Sequence, residues 1–226
     1  MSALAERYRE VQGSISTKLI ELGRTPSEVT LIVITKNHPD ALARELYELG
    51  GRNFGENRDQ EAGPKAAALA DCEGLSWHFV GQLQSNKVRS VLGYAQSIHS
   101  LDRPSLLKAL AAETGRLQRD IDVFIQLNLT DDPGRGGVQP SELEAFAEQV
   151  LAQPRLNLRG VMGVAALERD PRLDFATIQA ASQHLQTVAP DAKAISAGMS
   201  HDYLEALEFG ATHLRIGTAI TGIRNP

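Results

Sequence analysis

Lys36 is the residue whose position in this sequence most favours covalent chemistry. It follows the apolar run LIVI at 31–34, which is typical of a short buried strand. A lysine at the end of such a strand can lose solvent, and desolvation favours the neutral amine, the form that attacks a carbonyl carbon to make a Schiff base. A solvated lysine that only marks the end of a strand is the commoner arrangement, and the pattern alone leaves both interpretations open.

Two glycine-containing segments near the C-terminus could together bind an anion. In SAGMS at 196–200, Ser200 is placed to cap a following helix whose free backbone N–H groups would receive a negative charge. In RIGTA at 215–219, Gly217 allows close approach to the main chain and Thr218 adds a hydroxyl donor. Each segment is also what an ordinary turn between a strand and a helix requires. Taken together, they predict a phosphate site.

Other chemical motifs are missing from the sequence. The six histidines show no HExxH spacing, no cysteine partners Cys72, and neither GxGxxG nor GxxxxGK[ST] occurs, so we expect no metal site, dinucleotide fold or P-loop. The segment DDPGRGG at 131–137 is rich in turn-forming residues. It predicts a plain turn, with a mobile lid over a binding site or a partner contact as the alternatives.

The elements that must position these residues alternate between strands and helices. An amphipathic stretch with apolar residues every three or four positions predicts a leading helix up to Gly23, which either plugs the bottom of the fold or packs outside it. Eight predicted strands follow, separated by helix-length segments. They lie at 31–34, 52–54, 77–80, 96–99, 123–129, 156–164, 192–195 and 213–216.

Eight strand and helix units in about 200 residues fit a closed barrel better than an open sheet. The predicted fold class is therefore α/β, a single (β/α)8 TIM barrel over residues 1–226 with an extra N-terminal helix, and a doubly wound open sheet is the alternative. In such barrels ligand groups follow the carboxyl ends of the strands, and phosphate commonly binds after strands seven and eight. Lys36, Ser200 and Gly217 all occupy positions of this kind.

Composition and charge exclude several classes of protein. Hydrophobic residues make up 42% of the chain, too many for a disordered protein. The net charge is −5 with no block of five like charges, so no nucleic-acid partner is expected. There is neither a secretory signal pattern nor an apolar span of about 20 residues. We therefore expect no membrane association and a cytoplasmic location, in keeping with a single cysteine.

At the level of whole motifs, the sequence resembles the pyridoxal 5′-phosphate (PLP) homeostasis protein family. The fold of that family is similar to the N-terminal barrel of alanine racemase, the type III fold of PLP proteins. The resemblance runs nearly end to end and preserves the order of its motifs. These are LIVITK, FGENRDQE, WHFVGQLQSNK, RGVMGV, SAGMSHD and RIGTAITG.

The resemblance implies a role for particular residues. It assigns six residues to PLP and two more to the wall of the pocket. They are Lys36 as the Schiff-base lysine, Asn57 near the ring, Ser200, Gly217 and Thr218 at the phosphate, Arg215 facing the pyridine nitrogen, and His78 and Met162 as wall residues.

The resemblance also implies a binding protein that stores, buffers or delivers PLP, rather than an enzyme. An arginine facing the ring nitrogen disfavours its protonation, which weakens the ring as an electron sink. Pro226 follows soon after the last predicted strand, so we expect no second domain that could supply another acid or base. The expected form is a monomer, with PLP and the apo forms of PLP-dependent enzymes as partners.

Two other functions remain open from the sequence. The first is a weak PLP-dependent amino-acid racemase or lyase in which a tyrosine or histidine of this domain relays the second proton. The second is a barrel aldolase that uses Lys36 directly on a phosphorylated sugar. Both keep the lysine as the covalent group.

Overall fold

The structure is a computed structural model that describes residues 2–130, 136–166 and 169–222. Eight parallel strands form a closed barrel in which each strand pairs with the next along the chain and the last pairs with the first. The predicted (β/α)8 barrel is confirmed, and the open-sheet alternative is wrong. The strands are β1 Thr30–Ile34, β2 Asn53–Glu56, β3 Ser76–Phe79, β4 Ala95–Leu101, β5 Ile121–Gln126, β6 Leu156–Met162, β7 Ala194–Ser196 and β8 His213–Ile216.

Helices connect the strands and form the outer layer. Two of the longer helices begin with proline, which suits a first turn whose N–H needs no helical partner. The helices of the described residues are α1 Ala3–Glu21, α2 Asp40–Glu48, α3 Asp59–Ala68, α4 Val88–Val91, α5 Pro104–Leu117, α6 Leu143–Leu151, α7 Pro171–Val188, α8 Tyr203–Glu208 and α9 Thr218–Thr221. None of them is both long and apolar enough to cross a membrane.

The leading helix α1 lies in the outer layer beside α8 and α9. Its buried face carries Tyr8, Val11, Ile15 and Leu19, the residues whose spacing predicted the helix. Arg7 fastens it to the end of the barrel by donating from Nε to the Ile220 carbonyl at 2.7 Å. Of the two predicted placements, packing outside the barrel is confirmed and a plug at its bottom is wrong.

The carboxyl ends of the strands meet at one mouth of the barrel. Because all eight strands are parallel, the segments that follow them converge there even though they are far apart in sequence. Lys36 follows β1, Asn57 follows β2 directly, and Gly217 follows β8 directly. The fold therefore brings the chemically distinctive residues to one end of the molecule.

Candidate functional site

A cavity of about 380 Å³ opens at the barrel mouth. Its volume lies within the range of about 300 to 1,000 Å³ that is usual for small-ligand sites. The structure brings all six residues predicted for the cofactor to its wall, together with Met162. The full lining is Ile34, Lys36, Asn57, Val80, Gly81, Met162, Val164, Met199, Ser200, His201, Arg215, Gly217 and Thr218.

Lys36 is exposed, so the expected loss of solvent at its side chain is wrong. Its main chain, in contrast, is held on both sides. The Thr35 carbonyl accepts a hydrogen bond from Lys65 Nζ at 2.8 Å, and the Asn37 N–H donates to Glu61 Oε2 at 2.9 Å. The backbone of Lys36 is thus fixed at the rim, while its side chain stays accessible to an incoming carbonyl or amine.

A buried ion pair lies beneath this rim. Lys65 Nζ is 2.5 Å from Glu56 Oε1, and both side chains are almost fully buried. Thr35 adds a third member, because its hydroxyl donates to the same oxygen of Glu56 at 2.6 Å. Glu56 ends β2 and Lys65 comes from α3, so the cluster ties a strand and a helix to the end of β1. The burial of Lys65 is not predicted, although its spacing, three residues after Ala62 and four before Leu69, places it on the buried face of α3.

Arg215 supplies a second buried cation, on β8, which pairs with β1 on the side away from β2. Its Nη1 donates to Ser196 Oγ at 2.6 Å, and its Nη2 donates to the Gly163 carbonyl at 2.8 Å. Burial lowers the pKa of Arg215 to about 10, an effect that the charge of Asp202 partly opposes. The group therefore remains charged at neutral pH and presents a fixed hydrogen-bond donor to the cavity.

Ser200 lies in the loop after β7, but it does not cap the helix as predicted. Helix α8 begins only at Tyr203, with Asp202 at its N-cap, and the Asp202 carboxylate accepts the Met199 N–H at 2.6 Å. That turn delays the start of the helix and leaves the Ser200 hydroxyl to accept the Ala219 N–H at 3.2 Å. Ser200 therefore joins the loops after β7 and β8, next to Gly217.

Asn57 lines the cavity and carries a buried polar atom that lacks a partner. Its Oδ1 is buried and has no hydrogen-bond partner among the described residues, an arrangement that is costly unless a ligand or water satisfies it. Gly81 lies directly against the main chain of Asn57. A Cβ at position 81 would come within 2.2 Å of the Asn57 carbonyl oxygen, so only glycine permits this close approach.

These residues fit PLP on the evidence of the structure itself. Ile34, Val80 and Met162 provide apolar surface for a ring, and a lysine stands at the rim. The hydroxyls of Ser200 and Thr218 flank Gly217, where a phosphate could approach the main chain. The unsatisfied oxygen of Asn57 and the donor of Arg215 add polar partners. The chemistry of the donor set therefore matches an aldehyde that carries a ring and a phosphate.

His78 does not lie among the lining residues of this cavity, contrary to the expectation for it. It points into the barrel interior, where its Nδ1 lies 3.0 Å from His99 Nε2 and its Nε2 lies 3.0 Å from Asn53 Oδ1. His99 Nδ1 in turn lies 2.8 Å from Ser196 Oγ. Since β4 and β7 are not neighbours in the barrel, this last contact crosses its interior. No site role is predicted for His99, Ser196 or Asn53 from the sequence, although Asn53 and His99 lie within predicted strands, where a polar residue was a usable signal.

Two further expectations concern the surroundings of the site. Residues 131–135 of the predicted turn or lid lie outside the described residues, so that prediction stays open. The Gly136 carbonyl accepts a hydrogen bond from Gln126 Nε2 at 2.9 Å. Within the described part of the chain, no group of three or more His, Cys, Asp or Glu side chains is arranged to hold a metal ion.

Known proteins share both the sequence and the fold of this chain. It matches the family described as alanine racemase, N-terminal domain, over residues 25–225. The pyridoxal phosphate homeostasis protein of Pseudomonas aeruginosa is 37% identical to it over 229 aligned positions, which cover 100% of this chain and 97% of that protein.

Several solved structures share the fold of this chain. PipY from Synechococcus elongatus, solved with PLP bound, superposes with a TM-score of 0.82 at 37% identity and covers 92% of this chain and 100% of that one. Alanine racemase from Corynebacterium glutamicum has a TM-score of 0.73 at 15% identity and covers 99% of this chain and 62% of that one. The second likeness concerns the fold alone.

Proposed function

Because the chain belongs to the pyridoxal phosphate homeostasis protein family, we propose that it binds PLP at the barrel mouth and stores, buffers or delivers it. Lys36 forms the covalent bond to the cofactor. Ser200, Gly217 and Thr218 hold the phosphate, and Arg215 faces the ring nitrogen. The observation that carries this proposal is that these residues, from segments far apart in sequence, line a single cavity.

The exposure of Lys36 supports reversible loading. A lysine at an accessible rim can be displaced from the cofactor by an incoming amine, whereas a lysine sealed inside a closed site cannot be reached. After displacement, only the contacts to phosphate and ring retain the ligand, and it can leave. The fixed backbone on either side of Lys36 returns the amine to the same place for the next cycle.

Covalent trapping tests the assignment of the lysine. The purified protein is mixed with PLP, reduced with borohydride and analysed by intact mass and peptide mapping. We expect the adduct in the wild type and its loss in Lys36→Ala. Lys193→Ala is the matched control and should keep the adduct, because Lys193 is also exposed but precedes β7 at the opposite end of the barrel. An undiminished adduct in Lys36→Ala would refute the assignment.

The protein acts chiefly as a carrier and has no strong catalytic activity of its own. Arg215 keeps its charge beside the ring, which disfavours protonation of the ring nitrogen and so weakens carbanion stabilisation. None of the tyrosines is among the residues that line the cavity. Among the residues that line the cavity, His201 is the only histidine, the side-chain type whose ordinary pKa is near neutrality.

His201 is therefore the residue that would serve the alternative function, a weak racemase or lyase. Exchange of the α-proton of an amino acid in deuterated water distinguishes the two. A carrier exchanges it no faster than free PLP does. An enzyme exchanges it faster, and the excess disappears in His201→Asn. The sugar-aldolase alternative has less support, because the relatives are named for pyridoxal phosphate.

The recipients in this proposal are the apo forms of PLP-dependent enzymes, and the carrier works as a cytoplasmic monomer. The buried Cys72, which forms no disulfide within the described residues, suits a reducing compartment. Delivery is tested by mixing the loaded protein with an apo-enzyme in the presence of a scavenger of free PLP. Activation that survives the scavenger supports direct transfer, and activation that the scavenger abolishes indicates release into solution.

A further inference from the structure

Arg215 is a buried charge without a direct counterion. It is only 5% exposed, yet no ion pair joins it to a carboxylate of the described residues. Removing a guanidinium from water is costly unless its N–H groups are satisfied and its charge is compensated. Two of its five N–H groups are satisfied by Ser196 and by the Gly163 carbonyl. Part of the compensation comes from Asp202, whose charge acts on Arg215 without a direct ion pair, and part must come from the groups beyond Ser196.

Those groups form a continuous hydrogen-bonded row through the barrel. From Arg215 the row runs to Ser196 at 2.6 Å, to His99 at 2.8 Å, to His78 at 3.0 Å and to Asn53 at 3.0 Å. It passes through β8, β7, β4, β3 and β2. The ring of His99 is held in place by stacking on Phe124, with centroids 4.3 Å apart and planes 13° apart.

The two ends of the row determine where its protons lie. Arginine can only donate, so the Ser196 oxygen accepts from it and the serine hydroxyl hydrogen is free to point at His99 Nδ1. At the other end, Asn53 Oδ1 can only accept, so His78 Nε2 carries a hydrogen. Both ends therefore demand the same direction of donation, from Arg215 towards Asn53.

Hydrogen-bond donation can run from Arg215 to Asn53 through both histidines if each ring carries a single proton. Burial, the larger effect, lowers the pKa of His78 to about 3 and holds that of His99 well below its ordinary value. The ring of His213 lies edge-on to that of His99, with centroids 6.1 Å apart, and a positive charge on His213 or Arg215 lowers the pKa of His99 further. His78 Nδ1 is then bare and accepts from His99 Nε2–H, and His99 Nδ1 is bare and accepts from Ser196. In this arrangement, each member of the row directs its acceptor lone pair at the neighbour that is nearer to the guanidinium of Arg215.

We propose that Asn53, His78, His99 and Ser196 form a proton-ordered row that positions Arg215 and helps to compensate its charge in place of a directly paired carboxylate. The row leaves the remaining N–H groups of Arg215 available at the cavity wall as donors. A ligand atom that faces them is bound as an unprotonated acceptor. That the ligand atom is the ring nitrogen of PLP rests on the proposed function, whereas the proton order is a property of the protein alone.

The first test therefore uses the ligand-free protein. ¹⁵N NMR of the histidine side chains at pH 7, assigned with His78→Gln, reports which ring nitrogen carries the proton. We expect both His78 and His99 to be neutral with the proton on Nε2. A proton on Nδ1 of either ring, or an imidazolium at that pH, would overturn the proposal. Because no PLP is present, this outcome is independent of the proposed function.

The second test asks whether the row acts on the ligand. Ser196→Ala removes the link between Arg215 and His99, and Ser196→Thr keeps the hydroxyl. The matched control is Ser97→Ala, since Ser97 is a buried strand serine whose Oγ has no hydrogen-bond partner among the described residues. The readouts are the dissociation constant for PLP and the pH midpoint of the visible absorption band of the loaded protein.

We expect Ser196→Ala to bind PLP about tenfold more weakly and to shift the pH midpoint, whereas Ser196→Thr and Ser97→Ala stay near the wild type. Equal effects of Ser196→Ala and Ser97→Ala would show that a buried hydroxyl matters only for packing, and would overturn the positioning role. Failure of the wild type itself to bind PLP would refute the proposed function and leave the NMR result standing.

Discussion

The two buried cations at the barrel mouth are compensated in opposite ways. Lys65 is paired directly with a carboxylate, Glu56, at 2.5 Å, and its remaining donor capacity is used partly on the Thr35 carbonyl. Arg215 has no such partner among the described residues and ends a row of neutral dipoles instead. The two residues are almost equally buried, at 6% and 5% exposure, so burial does not explain the difference.

The difference lies in what each cation does for the cavity. The charge of Lys65 is cancelled where it sits, so the ion pair acts as a fastening for the backbone beside Lys36. The charge of Arg215 is balanced by dipoles and by the charge of Asp202, which forms no ion pair with it, so its guanidinium stays available at the cavity wall. A compact ammonium suits the first role and a planar guanidinium with five fixed donors suits the second. A buried cation that is paired with a carboxylate thus stabilises the fold, whereas a buried cation without such a partner can take part in ligand binding.

The largest expected effect follows from breaking the ion pair. Lys65→Met leaves Glu56 buried without its cation, and such changes typically lower the free energy of unfolding by about 3 to 5 kcal/mol. Chemical denaturation of the ligand-free protein measures the loss. The double variant Lys65→Met/Glu56→Gln should recover part of it, because no uncompensated charge remains. A single variant within about 1 kcal/mol of the wild type would contradict the role given to the pair.

Acid should act on the second of the two arrangements, through the neutral row that ends at Arg215. The folded-state pKa of His78, about 3, is below the value near 6.5 of an unfolded chain, so the unfolded chain binds more protons between these pH values. Stability is therefore complete above pH 6.5 and falls as the pH drops. His78 alone should account for a loss of about 2 kcal/mol between pH 6.5 and pH 5, and His99 adds to it in the same direction.

Denaturation midpoints measured across this pH range test the prediction. His78→Leu should flatten the dependence of stability on pH, since the variant has one buried imidazole fewer to protonate. His184→Gln is the control, because the side chain of His184 is half exposed on α7 and lies beside Glu144. Equal slopes in both variants and in the wild type would show that the buried row does not control acid stability.

The smallest effect is expected at an exposed cation. Arg116 pairs with Glu113 one turn earlier on α5, and its side chain is 52% exposed. Water and salt screen such pairs, so Arg116→Gln should leave the denaturation midpoint unchanged within error. Loss of stability comparable to that of Lys65→Met would mean that burial is not what separates the two kinds of ion pair.

Much of the fold could be predicted because a parallel barrel leaves a clear pattern in a sequence. Strands covered on both faces read as short apolar runs, and each of the eight predicted runs overlaps an observed strand. The positions of Lys36, Asn57 and Gly217 at the mouth followed from the rule that ligand groups lie after strand ends. Their contacts with a cofactor remain a prediction.

Other features could not be predicted because they depend on contacts between distant segments. His99 and Ser196 are 97 positions apart, and only closure of the barrel brings their side chains together. Ser200 was expected to cap α8, yet the turn made by Asp202 with Met199 delays the helix, and both arrangements suit a serine in such a loop. Lys65 has the spacing of the buried face of α3, but the carboxylate that receives its charge depends on how α3 packs on β2.

The order of the apolar runs and their separation by helical segments was sufficient by itself to predict eight strands and to favour a closed barrel over an open sheet, because each apolar run must bury its own surface. Which polar side chains meet, and which of the buried cations receives a carboxylate, was decided by the tertiary structure. Hydrogen bonds and ion pairs act over about 3 Å, so they depend on the positions that the closed barrel gives to residues far apart in the chain.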